Sequence, residues 1–277
     1  MHKFLLIVVF SIATLSSGAQ PFIGYYLGYT YESSKGGTFL HIEETYELTL
    51  KDITTLPYRT EKRFNSQGNI ISEVVYGKTG GKNSETRWEY LNGTKLTLKH
   101  HKYFVNMIGW QEEGLKIEYD PITDLPKSIV LDKNGKPFQW AIVVPDTLNR
   151  IESVKVFDAR KAHIFTENLM YLDASNMIKV MVYRANGQFF GTWSYRLNER
   201  KQFNFSTLKI KYNDNGDIML ETLSNAVKGD QAYYYEYQYD SHRNWIVKET
   251  YQVSLGSGDK IRKKKLEHKV TRKITYQ

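Results

Sequence analysis

Apolar and polar residues alternate along most of this chain with a period of two. Leu115, Ile117 and Tyr119 alternate with charged residues, and the pattern recurs at residues 207–212. Successive side chains of a β-strand point to opposite faces, so this pattern predicts half-buried strands. The best helical candidate, at about residues 160–172, is short. Since parallel strands need crossover helices, we expect an all-β, antiparallel, hairpin-rich sheet with little helix.

Turn signals separate these strands. Asn-Gly pairs occur at residues 92–93, 134–135, 186–187 and 215–216. This dipeptide tolerates the positive φ angles of a tight type I′ turn, so each pair predicts a hairpin.

Four windows share a seven-residue frame: an aromatic residue, Asx, three variable residues, a second Asx and an apolar residue. They begin at Phe64, Tyr119, Tyr212 and Tyr239. We expect the aromatic residue to end a strand and the first Asx to accept backbone N–H groups in the turn. Gly or the second Asx would take the left-handed conformation, and the apolar residue would restart pairing. Each window is therefore predicted to be a hairpin corner.

The segment Tyr237-Gln238-Tyr239-Asp240, continuing to Asn244-Trp245, resembles the unit of the YD-repeat (Rhs-like) families. Their unit reads roughly Tyr-x-Tyr-Asp-x-x-Gly-Asn/Arg-apolar. The resemblance implies an exported, hairpin-rich repeat protein that is mostly non-enzymatic. Large members of such families form a shell around a toxin, and some bind carbohydrate. This chain is a short and divergent example, because its repeats are irregularly spaced and two of its four corners lack the Gly.

The first 19 residues have the pattern of a secretory signal peptide. A basic start at Lys3 precedes the apolar run from Phe4 to Phe10, and small residues stand at Ser17 and Ala19. The apolar run is too short for a transmembrane helix, so we expect cleavage near Ala19. The remaining residues 20–277 are predicted to form one β domain, with a subdivision near residues 145–160 as the alternative.

Composition removes several classes of chemistry. The 277 residues include no Cys, which excludes disulfides, thiolate metal sites and cysteine nucleophiles. No HExxH or GxSxG motif occurs, and Gly77-Lys78-Thr79 lacks the first Gly of a phosphate-binding loop. We therefore predict no enzyme activity, cofactor or metal site. Export of a protein without disulfides favours a bacterial location, whether secreted, periplasmic or on the cell surface.

Aromatic residues, 14% of the chain, form one candidate binding surface. The predicted ligand-binding residues are Tyr233, Tyr235, Tyr237 and Tyr239 on one strand face, with Trp245 and Tyr251 beside them across the turn. Such a row can stack on sugar rings, and cross-strand packing is its alternative role. The expected partner is a polysaccharide or another envelope protein, not nucleic acid.

The last strand carries a basic face. Eight Lys or Arg residues lie from Lys260 to Lys273, opposed by Glu267 alone, and the full chain has a net charge of +8. The segment could contact an anionic surface, or the lysines could protect an edge strand from self-pairing.

Three functions fit these features. The first is an exported, non-enzymatic binding or structural module of the cell envelope or exterior. The second is a glycan-active hydrolase that uses a carboxylate pair, with candidates at Glu43, Glu44, Glu47, Glu112 and Glu113. The third is an outer-membrane β-barrel, suggested by the signal peptide, the aromatic alternation and the final residues 274–277.

Overall fold

The computed structural model describes residues 21–27, 34–48, 58–196, 201–202, 207–223 and 231–277. The predicted signal peptide at residues 1–19 lies outside the described residues. The rest confirms the all-β prediction, because its one α-helix, α1 (Gly24–Leu27), has only four residues. Within these ranges, no helix is both long enough and apolar enough to span a bilayer.

Eighteen β-strands make up this part of the chain. They are β1 (Phe39–Leu48), β2 (Arg59–Phe64), β3 (Ile70–Tyr76), β4 (Lys82–Leu91), β5 (Lys95–Val105), β6 (Gly109–Tyr119), β7 (Pro126–Lys133), β8 (Lys136–Pro145), β9 (Ile151–Asp158), β10 (His163–Leu172), β11 (Met177–Arg184), β12 (Phe189–Arg196), β13 (Lys201–Gln202), β14 (Thr207–Tyr212), β15 (Ile218–Leu223), β16 (Gln231–Tyr239), β17 (Trp245–Leu255) and β18 (Ile261–Tyr276).

All strands belong to one antiparallel sheet in which chain neighbours pair. Pairing runs from β1 to β13 and from β14 to β18, and β1 also pairs with β18. Within the described ranges no register joins β13 to β14, so the sheet is not closed there. Residues 145–160 contain strand β9, which pairs with β8 on one side and with β10 on the other.

The helical candidate at residues 160–172 forms strand β10 instead. Its Phe165, Glu167 and Leu169 alternate with outward residues, and the strand pairs with both β9 and β11. Ladder hydrogen bonds on both sides and burial of alternate residues outweigh the weak local preference for helix.

The main core lies on one face of the sheet, called the core face below. Ile129, Val154 and Val180 are fully buried on successive parts of this face. The segment before β1 packs against the same face, where Phe22 and Ile23 join the core cluster. The sheet therefore curves around this segment, which fills part of its interior.

A buried carboxylate holds the interior segment. Glu167 is 2% exposed, and it accepts hydrogen bonds from the backbone N–H of Phe22 and of Ile23, the second at 2.8 Å. Burial raises the pKa of Glu167 to about 7, and the two N–H donors oppose that shift.

The corner motif folds largely as predicted. In the Phe64 window, Asn65 Oδ1 accepts the N–H groups of Gln67 (3.1 Å) and Asn69 (2.9 Å). The first Asx of the other three windows, at Asp120, Asn213 and Asp240, caps its turn in the same way. These bonds satisfy backbone donors where the strand ladder stops.

The positive φ angles correct two predictions about the turns. Both residues of Asn92-Gly93 and Asn134-Gly135 have positive φ, as type I′ turns require, but only the Gly does at residues 186–187 and 215–216. In the Tyr239 window the left-handed residue is Arg243, not the second Asx. There Asn244 is instead 4% exposed, and its amide donates to Gly36 O and Tyr276 Oη.

Tyrosines near the strand ends connect neighbouring corners. The hydroxyl of each donates to the carbonyl of a residue that begins the preceding strand. The four bonds are Tyr90 to Ile70 (2.8 Å), Tyr119 to Leu96 (2.9 Å), Tyr171 to Ile151 (3.1 Å) and Tyr237 to Ile218 (2.9 Å). These tyrosines thus fasten one hairpin to the next, and among them Tyr119 is the aromatic residue of a motif window.

Hairpins of a meander turn alternately at its two edges. The edge that carries the capped corners, called the corner edge, includes the turns at residues 65–69, 92–94, 120–125, 146–150, 173–176, 213–217 and 240–244. The opposite edge includes the turns at residues 77–81, 106–108, 134–135, 159–162, 185–188 and 256–260.

The corner tyrosine bond predicts a measurable loss of stability. Tyr119→Phe removes one partly buried hydroxyl donor to Leu96 O and should lower the free energy of unfolding by about 1 kcal/mol. Tyr212→Phe is the matched control, because among the described residues the Tyr212 hydroxyl has no hydrogen-bond partner. Urea denaturation measures both variants, and equal losses would contradict a specific role for the bond to Leu96.

Glu167 predicts a pH dependence of stability. Its pKa is about 7 in the folded protein and ordinarily 4.5, so between these values the folded protein holds a proton that the unfolded chain releases. The contribution of Glu167 to stability therefore falls as the pH rises through this window. The unfolding free energy of wild type minus that of Glu167→Gln should decrease from pH 4.5 to pH 7, because Gln does not titrate. If urea denaturation gives the same difference in unfolding free energy at both pH values, the predicted titration of Glu167 is wrong.

Candidate functional site

A cleft opens where strands β15 and β16 part. Their pairing ends at Leu220 and Tyr234, although β15 begins at Ile218 and β16 continues to Tyr239. The cleft has a volume of about 400 Å³. It is lined by Asn213, Met219, Tyr234, Tyr235, Glu236, Tyr237, Gln238, Tyr239, Val247 and Glu249. We call it the β15–β16 cleft.

The odd-numbered tyrosines of β16 bridge this gap with their hydroxyls. Tyr235 Oη donates to Glu221 Oε2 (3.1 Å), and Tyr237 Oη donates to Ile218 O. Tyr239 Oη donates to Asp217 Oδ2 (2.9 Å), and its ring stacks on that of Tyr237 with centroids 5.9 Å apart. The rings are therefore fixed in position before any ligand binds.

Cations and carboxylates surround these rings. Lys248 Nζ lies 4.6 Å from the centroid of Tyr235 and 5.9 Å from that of Tyr237. Burial, and then the neighbouring Glu221, raise the pKa of the Tyr235 hydroxyl, while burial and Asp217 raise that of Tyr237. Both hydroxyls consequently stay protonated at neutral pH and act as donors.

The even-numbered residues of β16 add polar groups on the other strand face. Glu236 is directly opposite Glu249 in the register, and Gln238 is opposite Val247. Lys264 Nζ lies 2.5 Å from Glu236 Oε1, and Tyr251 Oη donates to Glu249. The cleft thus combines tyrosine rings with carboxylates and amides.

The structure separates the six predicted ligand-binding residues. Tyr235, Tyr237 and Tyr239 line the cleft, whereas Tyr233, Trp245 and Tyr251 are absent from its lining. Tyr251 is opposite Tyr234 in the register, so it belongs to the other strand face and not beside the predicted row.

Sequence reasoning missed seven of the ten residues that line the cleft. The prediction took the odd-numbered residues of β16, but the cleft is also lined by the even-numbered Tyr234, Glu236 and Gln238. Asn213 comes from a different corner. Alternation assigns residues to faces, but it does not show where two strands part and expose both sets. The mixed aromatic and polar composition of residues 233–239 was the available signal.

Trp245 lies beside the tyrosine row as predicted, opposite Tyr239 in the register and with its ring centroid 6.4 Å from that of Tyr237, edge to face. It also packs on a buried ion-pair network. The Arg272 guanidinium lies 3.3 Å from its ring centroid and bonds Glu44 Oε1 through Nε (2.8 Å) and Nη2 (2.6 Å). Lys62 Nζ is 3.3 Å from Glu44 Oε2, to which Tyr46 Oη also donates (2.9 Å). The Arg272 guanidinium therefore covers one face of the Trp245 ring.

The carboxylates proposed for a hydrolase have other partners. Glu44 belongs to the network above, Glu113 accepts the Tyr103 hydroxyl (2.8 Å), and Glu112 pairs with Lys102 (2.9 Å). Glu43 lies 3.9 Å from Lys273 Nζ. Across the part of the chain that is described, no three His, Asp or Glu residues are grouped to hold a metal ion.

No protein-family model matches the chain, and no curated protein is similar to it in sequence. Among solved structures, it is similar to a porin-like protein from Bacteroides uniformis, with a TM-score of 0.40 and 9% identity over 87% of this chain and 99% of that chain. It is also similar to TcdB2-TccC3, with a TM-score of 0.34 and 14% identity, over 73% of this chain but 13% of that chain. These TM-scores are below 0.5, so the functional proposal rests on this chain's own residues. The resemblance to YD-repeat families stays a prediction from the corner motif.

The ion-pair network beneath Trp245 predicts a strong effect of one substitution. Arg272→Met leaves Glu44 buried with Lys62 as its remaining cation, and it should lower the free energy of unfolding by about 3 kcal/mol or more. Lys102→Met breaks the exposed pair with Glu112 and should change stability little. Urea denaturation of the two variants tests the contrast, and a small effect of Arg272→Met would show that the network adds little.

Proposed function

We propose that this protein is an exported, non-enzymatic binding module of the bacterial cell envelope or exterior, and that it binds a carbohydrate in the β15–β16 cleft. The observation that carries the proposal is the composition of that cleft, in which four tyrosines stand beside two glutamates and two amides. Export is supported by the signal-peptide pattern of residues 1–19.

Carbohydrates match this lining because they present two kinds of surface. Their C–H faces pack on aromatic rings, and their hydroxyls exchange hydrogen bonds with carboxylates and amides. The tyrosine hydroxyls are already bonded to β15, which holds the rings in place and reduces the entropy lost on binding. Gln238 is exposed, so its amide is accessible to a ligand.

A second candidate function follows from Glu236 and Glu249. Directly opposite residues of an antiparallel pair have Cβ atoms about 5 Å apart, so the two side chains can place their carboxylates on one glycosidic bond. The pairing of Glu236 with Lys264 and of Glu249 with Tyr251 favours binding over catalysis, because both carboxylates are already engaged.

One exposed side chain of the cleft provides the test. Wild type is screened on an array of bacterial capsular and cell-wall oligosaccharides, and the strongest binder is titrated by calorimetry. Gln238→Ala should weaken that binding by about tenfold, since it removes one hydrogen-bonding group without touching the core. Gln252→Ala is the matched control, because Gln252 is equally exposed on β17 but lies outside the cleft lining.

Two results would decide against the proposal. If wild type binds nothing on the array, or if Gln252→Ala weakens binding as much as Gln238→Ala, the cleft is not the carbohydrate site. Cleavage of the bound oligosaccharide by wild type but not by Glu249→Gln would favour the hydrolase instead.

A further inference from the structure

The turn between β5 and β6 is an exposed apolar tip. Met107 is fully exposed, and Ile108 is 69% exposed. Phe104 and Trp110 flank the turn, both exposed, with ring centroids 5.7 Å apart in an edge-to-face arrangement. These four residues, which we call the apolar tip, form a hydrophobic cluster that nothing in the described chain covers.

The tip projects beyond the turn on one side of it. The adjacent turn at residues 134–135 ends level with Glu112, whose backbone N–H and carbonyl bond Asn134. On the other side, β4 continues past Ser84, its last residue paired with β5, so the turn at residues 77–81 reaches about as far as the tip. A strand rises about 3.3 Å per residue, so the tip extends roughly 10 Å past the Glu112 level.

The backbone of the tip indicates that its apolar residues are not there for local stability. Met107 has φ +69°, the left-handed region that Gly and Asn adopt easily and a long apolar side chain does not. Among the non-glycine residues with positive φ in the described ranges, Met107 is the one with an apolar side chain. Local turn chemistry would favour a polar residue, so this choice points to a role at the surface.

Cations stand on both sides of the tip. The neighbouring turns carry Lys78 and Lys82 on one side and Lys133 and Lys136 on the other, all exposed. Lys82 pairs with Glu85, whereas Lys78, Lys133 and Lys136 have no ion pair within the described residues.

The two edges of the sheet differ in charge. The opposite edge continues with Arg160, Lys161, Arg184 and Lys260 in or beside its turns, against Asp158 and Asp259. The corner edge carries Asp120, Asp124, Asp146, Asp173, Asp214, Asp217 and Asp240, against Lys95, Arg150 and Arg243. An anionic surface would therefore attract the opposite edge and repel the corner edge.

We propose that the apolar tip and its flanking lysines dock this protein on an anionic phospholipid bilayer, with the corner edge and its acidic turns directed away. Trp, Phe, Met and Ile side chains insert into the headgroup and acyl boundary, while each nearby Lys gains about 1 kcal/mol from an anionic membrane. A second copy of the chain would bury the same apolar residues, but it would place the lysines of the two copies against each other. Charge complementarity thus selects the bilayer.

Vesicle flotation tests this docking without using the carbohydrate cleft. Wild-type protein is mixed with vesicles of phosphatidylcholine alone and with vesicles that contain about 30 mol% phosphatidylglycerol. Wild type should float with the anionic vesicles, and less so when salt is raised to about 1 M, where the Debye length is about 3 Å. The double variant Met107→Ser/Ile108→Ser should reduce the bound fraction by at least about tenfold.

Two further variants make the test specific. Ile122→Ser/Leu148→Ser removes equally exposed apolar residues, 91% and 70% exposed, from the corner edge and should not change flotation. Lys133→Gln/Lys136→Gln leaves the tip intact and should lower binding to anionic vesicles only. Thermal melting by circular dichroism checks that all variants fold.

Three outcomes would overturn the proposal. Wild type that floats with neither kind of vesicle has no bilayer affinity, and equal losses for the tip and corner-edge variants would show that the tip has no special role. Sedimentation that shows a wild-type dimer dissolved by Met107→Ser/Ile108→Ser would assign the tip to a second copy of the chain.

Discussion

The fold depends on the pairing of its first and last strands. All other strand pairs join neighbours in the chain, so they could form as a row of hairpins with no fixed curvature. The β1–β18 pairing joins the run from β1 to β13 with the run from β14 to β18 and so makes them one sheet. Its register places Glu44 opposite Arg272, both buried, with Lys62 on the third strand. Shifting β18 by one residue would move Arg272 to the other face and place Thr271 or Lys273 opposite Glu44, so the buried Glu44–Arg272 pair favours one register.

Hydrogen bonds between the corners stabilise the sheet further. Each Asx cap satisfies its own turn, and the tyrosine hydroxyls then join one corner to the next. The Asn65 and Asn69 amides both donate to Gly93 O (2.8 Å each), and Asn149 donates to Thr123 O. The same chemistry reaches the closing strands, where Asn244 accepts the N–H of Lys35 and donates to Tyr276. Without a disulfide, the corner edge is held by these bonds.

The two proposed sites use opposite properties of the sheet. The β15–β16 cleft exists because the ladder stops early, which exposes tyrosines of both parities together with their polar neighbours. The apolar tip exists because β5 and β6 continue past the turn at residues 134–135 and end in apolar residues that the turn does not need. A departure from regular pairing therefore marks each site. Because the corner edge is acidic and the opposite edge is basic, an anionic surface would orient the molecule with its opposite edge toward that surface.

The sequence by itself determined the antiparallel all-β class, the strand alternation and the capped corners. These depend on residues close in the chain, namely side-chain period and the Asx and Gly residues of turns. Even there, Arg243 and β10 show the limit, because tertiary contacts overrode the local preference. Only the tertiary structure decided which face is buried, that Glu167 holds the segment at Phe22, and that Tyr234 joins Tyr235 in one cleft. Those outcomes depend on how the sheet packs and on where two strands part. The alternation of residues along one strand gives no information on either.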